Sequence, residues 1–315
     1  MTGTGPGADL EVSVGVDLGG TGTRVVALDR DGTVRREATL RTPHDLPPAQ
    51  AVTALAEVIT DTLRSRPGHR GLRAVGVGIG ATGPVDAHGI IRNRDTLPAF
   101  SDTPLTHLLA QQLGAPCVID NDAVTAAVGE HRYGSGRDSA ALLTVTLGTG
   151  IGVALLLAGA PVRAADGSHP EAGHITIGDP APPCYCGLPH CWEQAASRTA
   201  LDRLTGDRTA DIAAQARAGD GSSRDLFRRY GALIGTGLAT LLTIYRPDRV
   251  VLGGGGAQYL DLFGPGLHDA LERRDEYALS PTIVAAELGS LAGAVGAAVL
   301  GRPPEARPAS QTDDS

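Results

Sequence analysis

Hydrophobic and polar positions change period along this chain, and the changes mark out its elements. From Val12 to Ala27 an apolar segment is interrupted by Gly19-Gly20-Thr21-Gly22, and Asp29 to Gly32 makes the next turn. That pattern predicts strand, glycine turn, strand, turn. From Pro47 to Arg64 the apolar residues fall at helical spacing, and Ala74 to Ile79 is again a strand. Val118-Ile119-Asp120 ends a further strand, and a helical run follows from Ala123 to His131. Strands and helices in alternation mean an α/β fold.

The second half repeats the opening event. Leu142 to Leu147 reads as a strand, Gly148-Thr149-Gly150-Ile151-Gly152 as a glycine turn, and Val153 to Leu157 as the returning strand. Set beside Val14 to Leu28, this is a diverged internal repeat with a one-residue offset. Long helical stretches follow from Gln194 to Arg217 and from Asp225 to Tyr245. A strand at Val250 to Leu252 runs into Gly253-Gly254-Gly255-Gly256 and then a helix. The last helix, Leu288 to Leu300, is studded with Ala and Gly, as expected where helices or a ligand approach closely.

At 315 residues, 42% of them hydrophobic, the chain is too long for one small core and suits two lobes sharing a cleft. The 27 basic and 35 acidic residues give a net charge of -8, and the basic ones are scattered, so nucleic acid is not an expected partner. Every basic residue is an arginine. The absence of lysine removes the phosphate-binding lysine of P-loop enzymes, the ion-pairing lysine of protein kinases and any lysine Schiff base. Met1 to Asp9 carries no positive charge and no apolar run, so neither a signal peptide nor a membrane span is expected. The expected location is the cytoplasm, where clustered cysteines more often bind metal than form disulfides. Residues 1–10 and 302–315 are expected to be flexible, solvated ends.

A chain without lysine can still hold a triphosphate, because turns of glycine and threonine let consecutive backbone N–H groups point at one oxyanion. Asp17, just before the first turn, is placed to hold Mg²⁺ through water, since magnesium keeps much of its hydration. Arg24, just beyond the turn, is either a surface residue or a phosphate contact. A single glycine turn would merely reverse a strand; three at matching places point to nucleotide binding. Gly78, Gly80 and Gly83 satisfy a G-x-G-x-x-G spacing, but Pro84 and the turn residues after it do not open a helix as a dinucleotide fingerprint would.

Asp122 sits where a strand gives way to a helix. It reads either as a helix cap or as a carboxylate projecting into the cleft to take the proton of an attacking hydroxyl. Cys184, Cys186 and Cys191 fall within eight residues, and His174 lies ten residues upstream of the first. Three thiolates and one imidazole make a closed tetrahedral set, the signature of structural zinc. The alternative, three ordinary core cysteines, does not call for a segment of Pro, Gly and His. Cys117, alone in a strand, reads as core. A metal loop here would fix Glu171 and Glu193, one on each side of the ligand set, so that rigid carboxylates face the cleft. His169 and His190 read as surface or satisfied interior positions.

Together these residues resemble the ROK family, bacterial sugar kinases and related repressors within the actin-like ATPase superfamily. Asp17-Leu18-Gly19-Gly20-Thr21 resembles its first phosphate loop, Asn121-Asp122-Ala123 with Glu130 its catalytic segment, and Leu147 to Gly152 its second phosphate loop. Glu171-x-Gly173-His174 and Cys184-x-Cys186-Gly187-x-x-x-Cys191-x-Glu193 resemble its zinc and sugar signatures. The resemblance implies a two-lobed ribonuclease H-like fold with a central interdomain cleft. Residues 11–119 with 289–300 would form the N-terminal lobe and 120–288 the C-terminal lobe. By the same resemblance Asp122 is the catalytic base; Gly83, Asn121, Asp122, Glu171, His174 and Glu193 contact the sugar; and His174, Cys184, Cys186 and Cys191 hold zinc. Asp17, Gly19, Gly20, Thr21, Gly148, Thr149 and Gly150 serve ATP, with Gly254 and Gly255 near the adenosine.

The sequence departs from the family pattern at three places. His190 stands where glycine usually precedes the third cysteine, Gly22 replaces a lysine or similar residue, and Phe100 stands where tryptophan is frequent, in a segment from Asn93 expected to line the sugar pocket. The resulting expectation is a homodimeric, ATP- and Mg²⁺-dependent kinase for a hexose hydroxyl, first the 6-hydroxyl of glucose. Amino sugars such as kanosamine or N-acetylmannosamine, and C7 cyclitols, are the alternatives within that chemistry. A sugar-responsive repressor or a non-catalytic sugar-binding protein is the alternative of another class. About ten residues before the first strand are too few for a helix-turn-helix, which disfavours the repressor.

Overall fold

The computed structural model describes residues 9–65, 71–272 and 281–303. β1 (Leu10–Leu18) and β2 (Gly22–Leu28) pair antiparallel around the first glycine turn, and β3 (Val34–Arg41) adds to β2. α1 (Pro48–Leu63) leads to β4 (Leu72–Ala81), and α2 (Leu105–Leu113) to β5 (Cys117–Asn121). The resulting sheet has the order β3-β2-β1-β4-β5, with β4 parallel to both β1 and β5. The boundary expected between residues 119 and 120 therefore falls inside β5, whose Asp120 and Asn121 still pair with β4.

α3 (Asp122–Tyr133) carries the chain to a second sheet of the same plan. β6 (Ala141–Leu147) and β7 (Ile151–Leu157) form the hairpin, β8 (Ala160–Pro161) flanks β7, and β9 (Arg249–Gly253) and β10 (Thr282–Ala285) lie parallel beyond β6. Read from its other edge the order β8-β7-β6-β9-β10 matches the first sheet strand for strand. Leu18 faces Thr23 across the first turn and Leu147 faces Ile151 across the second, so the second turn is one residue shorter. The internal repeat is thus a duplicated sheet. β7 begins at Ile151 rather than the expected Val153, because Ile151 and Gly152 already pair with Leu147 and Thr146.

The stretch expected as one helical run from Gln194 is three helices: α4 (Trp192–Ala196), α5 (Arg198–Thr205) and α6 (Thr209–Arg217). Ser197 breaks the first junction, its side chain accepting the Ala200 N–H as an N-cap, and Gly206 ends α5 in a left-handed conformation at φ 61°. α7 (Gly221–Tyr245) and α8 (Leu260–Glu272) then pack Phe227, Tyr230, Ile234, Phe263 and Leu267 against the second sheet. The first sheet has its own core, where α1 contributes Val52, Leu55 and Ile59 and the loop before α2 contributes the buried Phe100. Phe100 is therefore core, while Asn93 and Thr96 of the same segment lie against Gly83 and Gly20.

α9 (Ala292–Leu300) returns to the first sheet and lies on β1, β2 and β4, while also crossing α3. Before it, Gly289–Leu291 forms a 3-10 turn, so the regular helix starts later than expected. The crossing is backbone against backbone: a Cβ on Gly296 would stand 1.6 Å from Thr125 O. Glu130, near the end of α3, is 1% exposed; its Oε2 accepts the N–H groups of Ser135 and Glu287 and its Oε1 that of Leu288. It ties α3 to the chain entering α9, a structural place for a residue expected in the catalytic segment. Leu10 and Arg302, both expected in the solvated ends, are engaged: Leu10 opens β1, and Arg302 Nη2 donates to Asp29 O at 2.8 Å. The remainder of those ends, 1–8 and 304–315, lies outside the described residues. Among the described residues, no helix is long and apolar enough to cross a membrane.

Candidate active site

The two hairpin turns are built alike. In the first, Gly19 N–H donates to Gly22 O at 3.2 Å, Thr42 Oγ1 donates to Gly19 O at 2.6 Å and His44 Nε2 meets Gly20 O at 2.5 Å. In the second, Gly148 N–H donates to Gly150 O at 2.9 Å and Ile151 N–H donates to Glu193 Oε2 at 3.1 Å. The carbonyls of residues 19–22 in the first turn, and of Gly148 and Gly150 in the second, all accept bonds from the chain. Among the described residues, the N–H groups of Gly20 and Thr21, and of Thr149 and Gly150, have no partner in the chain, which leaves paired donors for an oxyanion. The third turn is stitched to the second: Gly256 N–H donates to Leu147 O at 2.8 Å, and Gly254 holds φ 76° against the same residue. Arg198 N–H donates to Gly148 O at 3.0 Å, and its side chain runs past Gly255 to Asp202.

Asp122 opens α3 at the joint between the sheets, and the question of cap or cleft carboxylate has a local answer. Asn121 is the N-cap: its Oδ1 accepts the Ala123 N–H at 2.8 Å while its Nδ2 donates to Gly83 O at 3.1 Å. Asp122 Oδ1 shares that Ala123 N–H, and Asp122 Oδ2 accepts from Thr82 Oγ1 at 2.9 Å. Burial pushes the Asp122 carboxyl above the usual range, and the bonds from Thr82 and Ala123 oppose the rise. Burial likewise pushes Asp17 up to about 6, with the charge of Asp122 adding and Arg24 opposing. Glu171, on the exposed rim, is pushed up to about 7 by its partial burial and then by the like charges of Asp122 and Glu193. Asp122 is thus the neighbour common to an acid beside the first turn and an acid of the cysteine-rich segment. Arg24 is ion-paired with Glu37 across β2 and β3.

The cysteine-rich segment brings its four predicted ligands together. The ligand atoms of His174, Cys184, Cys186 and Cys191 all lie within 4.8 Å of one another. His174 Nδ1 is 3.4 Å from Cys191 Sγ and 3.6 Å from Cys184 Sγ, against an edge of about 3.6 Å for a tetrahedron built on ordinary Zn–N and Zn–S lengths. The donor set fits zinc, held by these four side chains, and zinc would order the loop there. The ring's other nitrogen, Nε2, meets Tyr185 Oη at 3.0 Å. His190 takes φ 53°, the left-handed conformation natural to glycine, so it keeps the backbone path expected of glycine and changes only the side chain, whose Nδ1 meets Asp179 O.

Glu193 lies two residues past the last cysteine and is 6% exposed. Its Oε1 is 4.0 Å from His174 Nδ1, and its Oε2 lies where a side chain on Gly150 would stand, 2.2 Å from that Cβ. One carboxylate therefore joins the cysteine-rich segment to the second glycine turn. Trp192 beside it is fully buried, with Nε1 donating to Leu233 O at 3.1 Å, and so anchors this junction to α7. Thr42, His44, Thr82 and Arg198 border the site without a sequence signal of their own. Asn93 joins Thr82 and Gly83, its Nδ2 donating to Thr82 O at 2.9 Å.

Two sheets of one plan, each with a glycine turn in its leading hairpin, and an acid at their joint are the plan of the actin-like ATPase fold. The chain belongs to the ROK family, whose family model matches residues 13–303. It is 31% identical to a glucokinase of Streptomyces coelicolor over 94% of this chain and 99% of that one. It resembles the crystal structure of a ROK glucokinase from Streptomyces griseus in complex with glucose and AMPPNP, with a TM-score of 0.77 and 30% identity, covering 92% and 99% of the two chains. A ROK hexokinase from Thermus thermophilus gives a TM-score of 0.76 at 32% identity, covering 92% and 97%. The enzyme class is that of an ATP-dependent sugar kinase.

Proposed function

We propose that this enzyme transfers the γ-phosphoryl group of ATP to the 6-hydroxyl of glucose, with Asp122 as general base. The observation that carries the proposal is the position of Asp122, within electrostatic reach of Asp17 on the nucleotide side and of Glu171 on the side of the cysteine-rich segment. The open N–H groups of Gly20, Thr21, Thr149 and Gly150 would cradle the phosphates, and Gly254 and Gly255 would border the adenosine. Gly83, Asn121, Glu171, His174 and Glu193 would hold the sugar hydroxyls. Asp122 accepts the hydroxyl proton as the oxygen attacks the γ-phosphorus and ADP leaves. General-base action of this kind contributes roughly 10²- to 10⁴-fold.

Asp17 is the residue that would hold Mg²⁺ through water: burial, and then the like charge of Asp122, raise its pKa to about 6, and a divalent cation beside it would favour its ionised form. Bound there, the ion would supply charge neutralisation for the phosphate oxygens. Measuring ADP release over glucose, mannose, N-acetylmannosamine, kanosamine and a C7 cyclitol tests the substrate, and glucose is expected to give the highest kcat/KM. Asp122→Asn is expected to lose at least a hundredfold in kcat, about the lower end of general-base effects; full activity in that variant would remove the mechanism.

A further inference from the structure

Thr82 lies inside the Gly78-x-Gly80-x-x-Gly83 spacing, just past the end of β4, at the place in the first sheet that the third glycine turn occupies in the second. Its main chain is fixed from two sides. Its N–H donates to Leu18 O, the residue before the first glycine turn, at 3.2 Å, and its carbonyl accepts from Asn93 Nδ2 at 2.9 Å. The side chain is left to reach across 40 residues of sequence to Asp122 Oδ2 at 2.9 Å.

We propose that Thr82 is a positioning residue for the phosphoryl transfer, aiming the Asp122 carboxylate at the reacting sugar hydroxyl; this rests on the reading of Asp122 as the base. An ionised carboxylate only accepts hydrogen bonds, so the single hydroxyl proton of Thr82 must point at Asp122. Oδ2 is held by Thr82 and Oδ1 by the Ala123 N–H at 2.8 Å. Two donors from different segments fix the carboxylate in plane and in rotation, and each oxygen keeps further acceptor capacity for a substrate proton. Without the Thr82 bond, only backbone amides at the start of α3, one of them shared with Asn121, orient the group, and Oδ2 loses its side-chain donor. Catalytic groups held only loosely lose rate because the attacking geometry is populated less often.

The test is steady-state kinetics of Thr82→Val, which keeps the shape and removes the hydroxyl, beside Thr82→Ser, which restores it. Loss of a hydrogen bond to a charged group is expected to lower kcat on the order of ten- to a hundredfold, with the sugar KM little changed, and Thr82→Ser is expected to recover most of the rate. Should Thr82→Val not fold, Thr82→Ala and Thr82→Ser are compared in the same way. In an Asp122→Asn background Thr82→Val is expected to have no further effect, because its action runs through that carboxylate. A Thr82→Val enzyme with kcat within about twofold of wild type, with a raised KM and unchanged kcat, or with an undiminished effect in the Asp122→Asn background would overturn the inference. Full activity in Asp122→Asn alone would instead sink the assignment of the base, so the two failures are separable.

Discussion

Gly150→Ala separates the fold of the second turn from its work. The added Cβ would stand 2.2 Å from Glu193 Oε2 and 2.9 Å from its Cδ, closer than real Cβ contacts allow. The turn has little room to retreat, because Gly150 O is bound to Gly148 N–H at 2.9 Å. The obstructing atoms are the tip of a side chain, so the carboxylate turns aside and the chain still folds. What is lost is the bond from Ile151 N–H to a buried carboxylate, roughly 1.5–3 kcal/mol. If Glu193 holds the sugar, that displacement is expected to raise the sugar KM by about ten- to a hundredfold, with zinc content unchanged and the melting temperature lowered by several degrees. The assay varies sugar at saturating ATP, then ATP at saturating sugar, with metal analysis and thermal unfolding on the same samples. Gly148→Ala, whose Cβ would meet nothing nearer than 3.9 Å, is the steric control for folding. A normal sugar KM in a folded Gly150→Ala protein would refute the role given to Glu193.

Replacing Cys186 with Ser, or removing metal with a strong chelator, is expected to abolish zinc binding by metal analysis and to loosen the segment from residue 174 to 191. Limited proteolysis should then cut there first, while the second-sheet core survives because Trp192 and its neighbours are packed independently of the metal. The profile of kcat/KM against pH should have its acid limb above the ordinary carboxylate value of about 4. A raised pKa means the proton-accepting form disappears as pH falls through that raised value; a limb centred near 4 would count against Asp122. Stability of the ligand-free protein runs the other way. The Asp17 contribution is fully present below 3.8 and lost as pH rises through about 6, so Asp17→Asn is expected to flatten the melting temperature across that window. Gly296→Ala drives a methyl group into the backbone of α3, with Thr125 O at 1.6 Å and Gly129 N at 2.7 Å. The two helices must part, and a loss of about 3 kcal/mol or more is expected in thermal or denaturant unfolding.

Much of this was legible from local chemistry. Glycine turns between apolar runs located both hairpins, and their matched spacing exposed the duplicated sheet. Cysteine spacing located the ligand set, because ligands so close in sequence cannot be far apart in space. The sequence was ambiguous where two residues compete for one local role: Asn121 and Asp122 can each cap α3, and only the structure shows Asn121 capping while also reaching Gly83. The break at Ser197 was hidden because the apolar period continues through it from α4 into α5. Contacts such as Thr82 with Asp122, Glu193 with Ile151, and Arg302 with Asp29 left no trace, since a hydroxyl, a carboxylate or a guanidinium carries no mark of a partner far along the chain.

The chain passes between the sheets twice, entering through α3 and leaving through α9, and these two passages touch each other at Gly129 and Gly296. That contact is a place about which one sheet could turn against the other, like a book bound along one spine rather than two beads on a string. The pivot is also finished last in synthesis, so a ribosome-bound chain that stops short of residue 292 holds all ten strands but no completed spine.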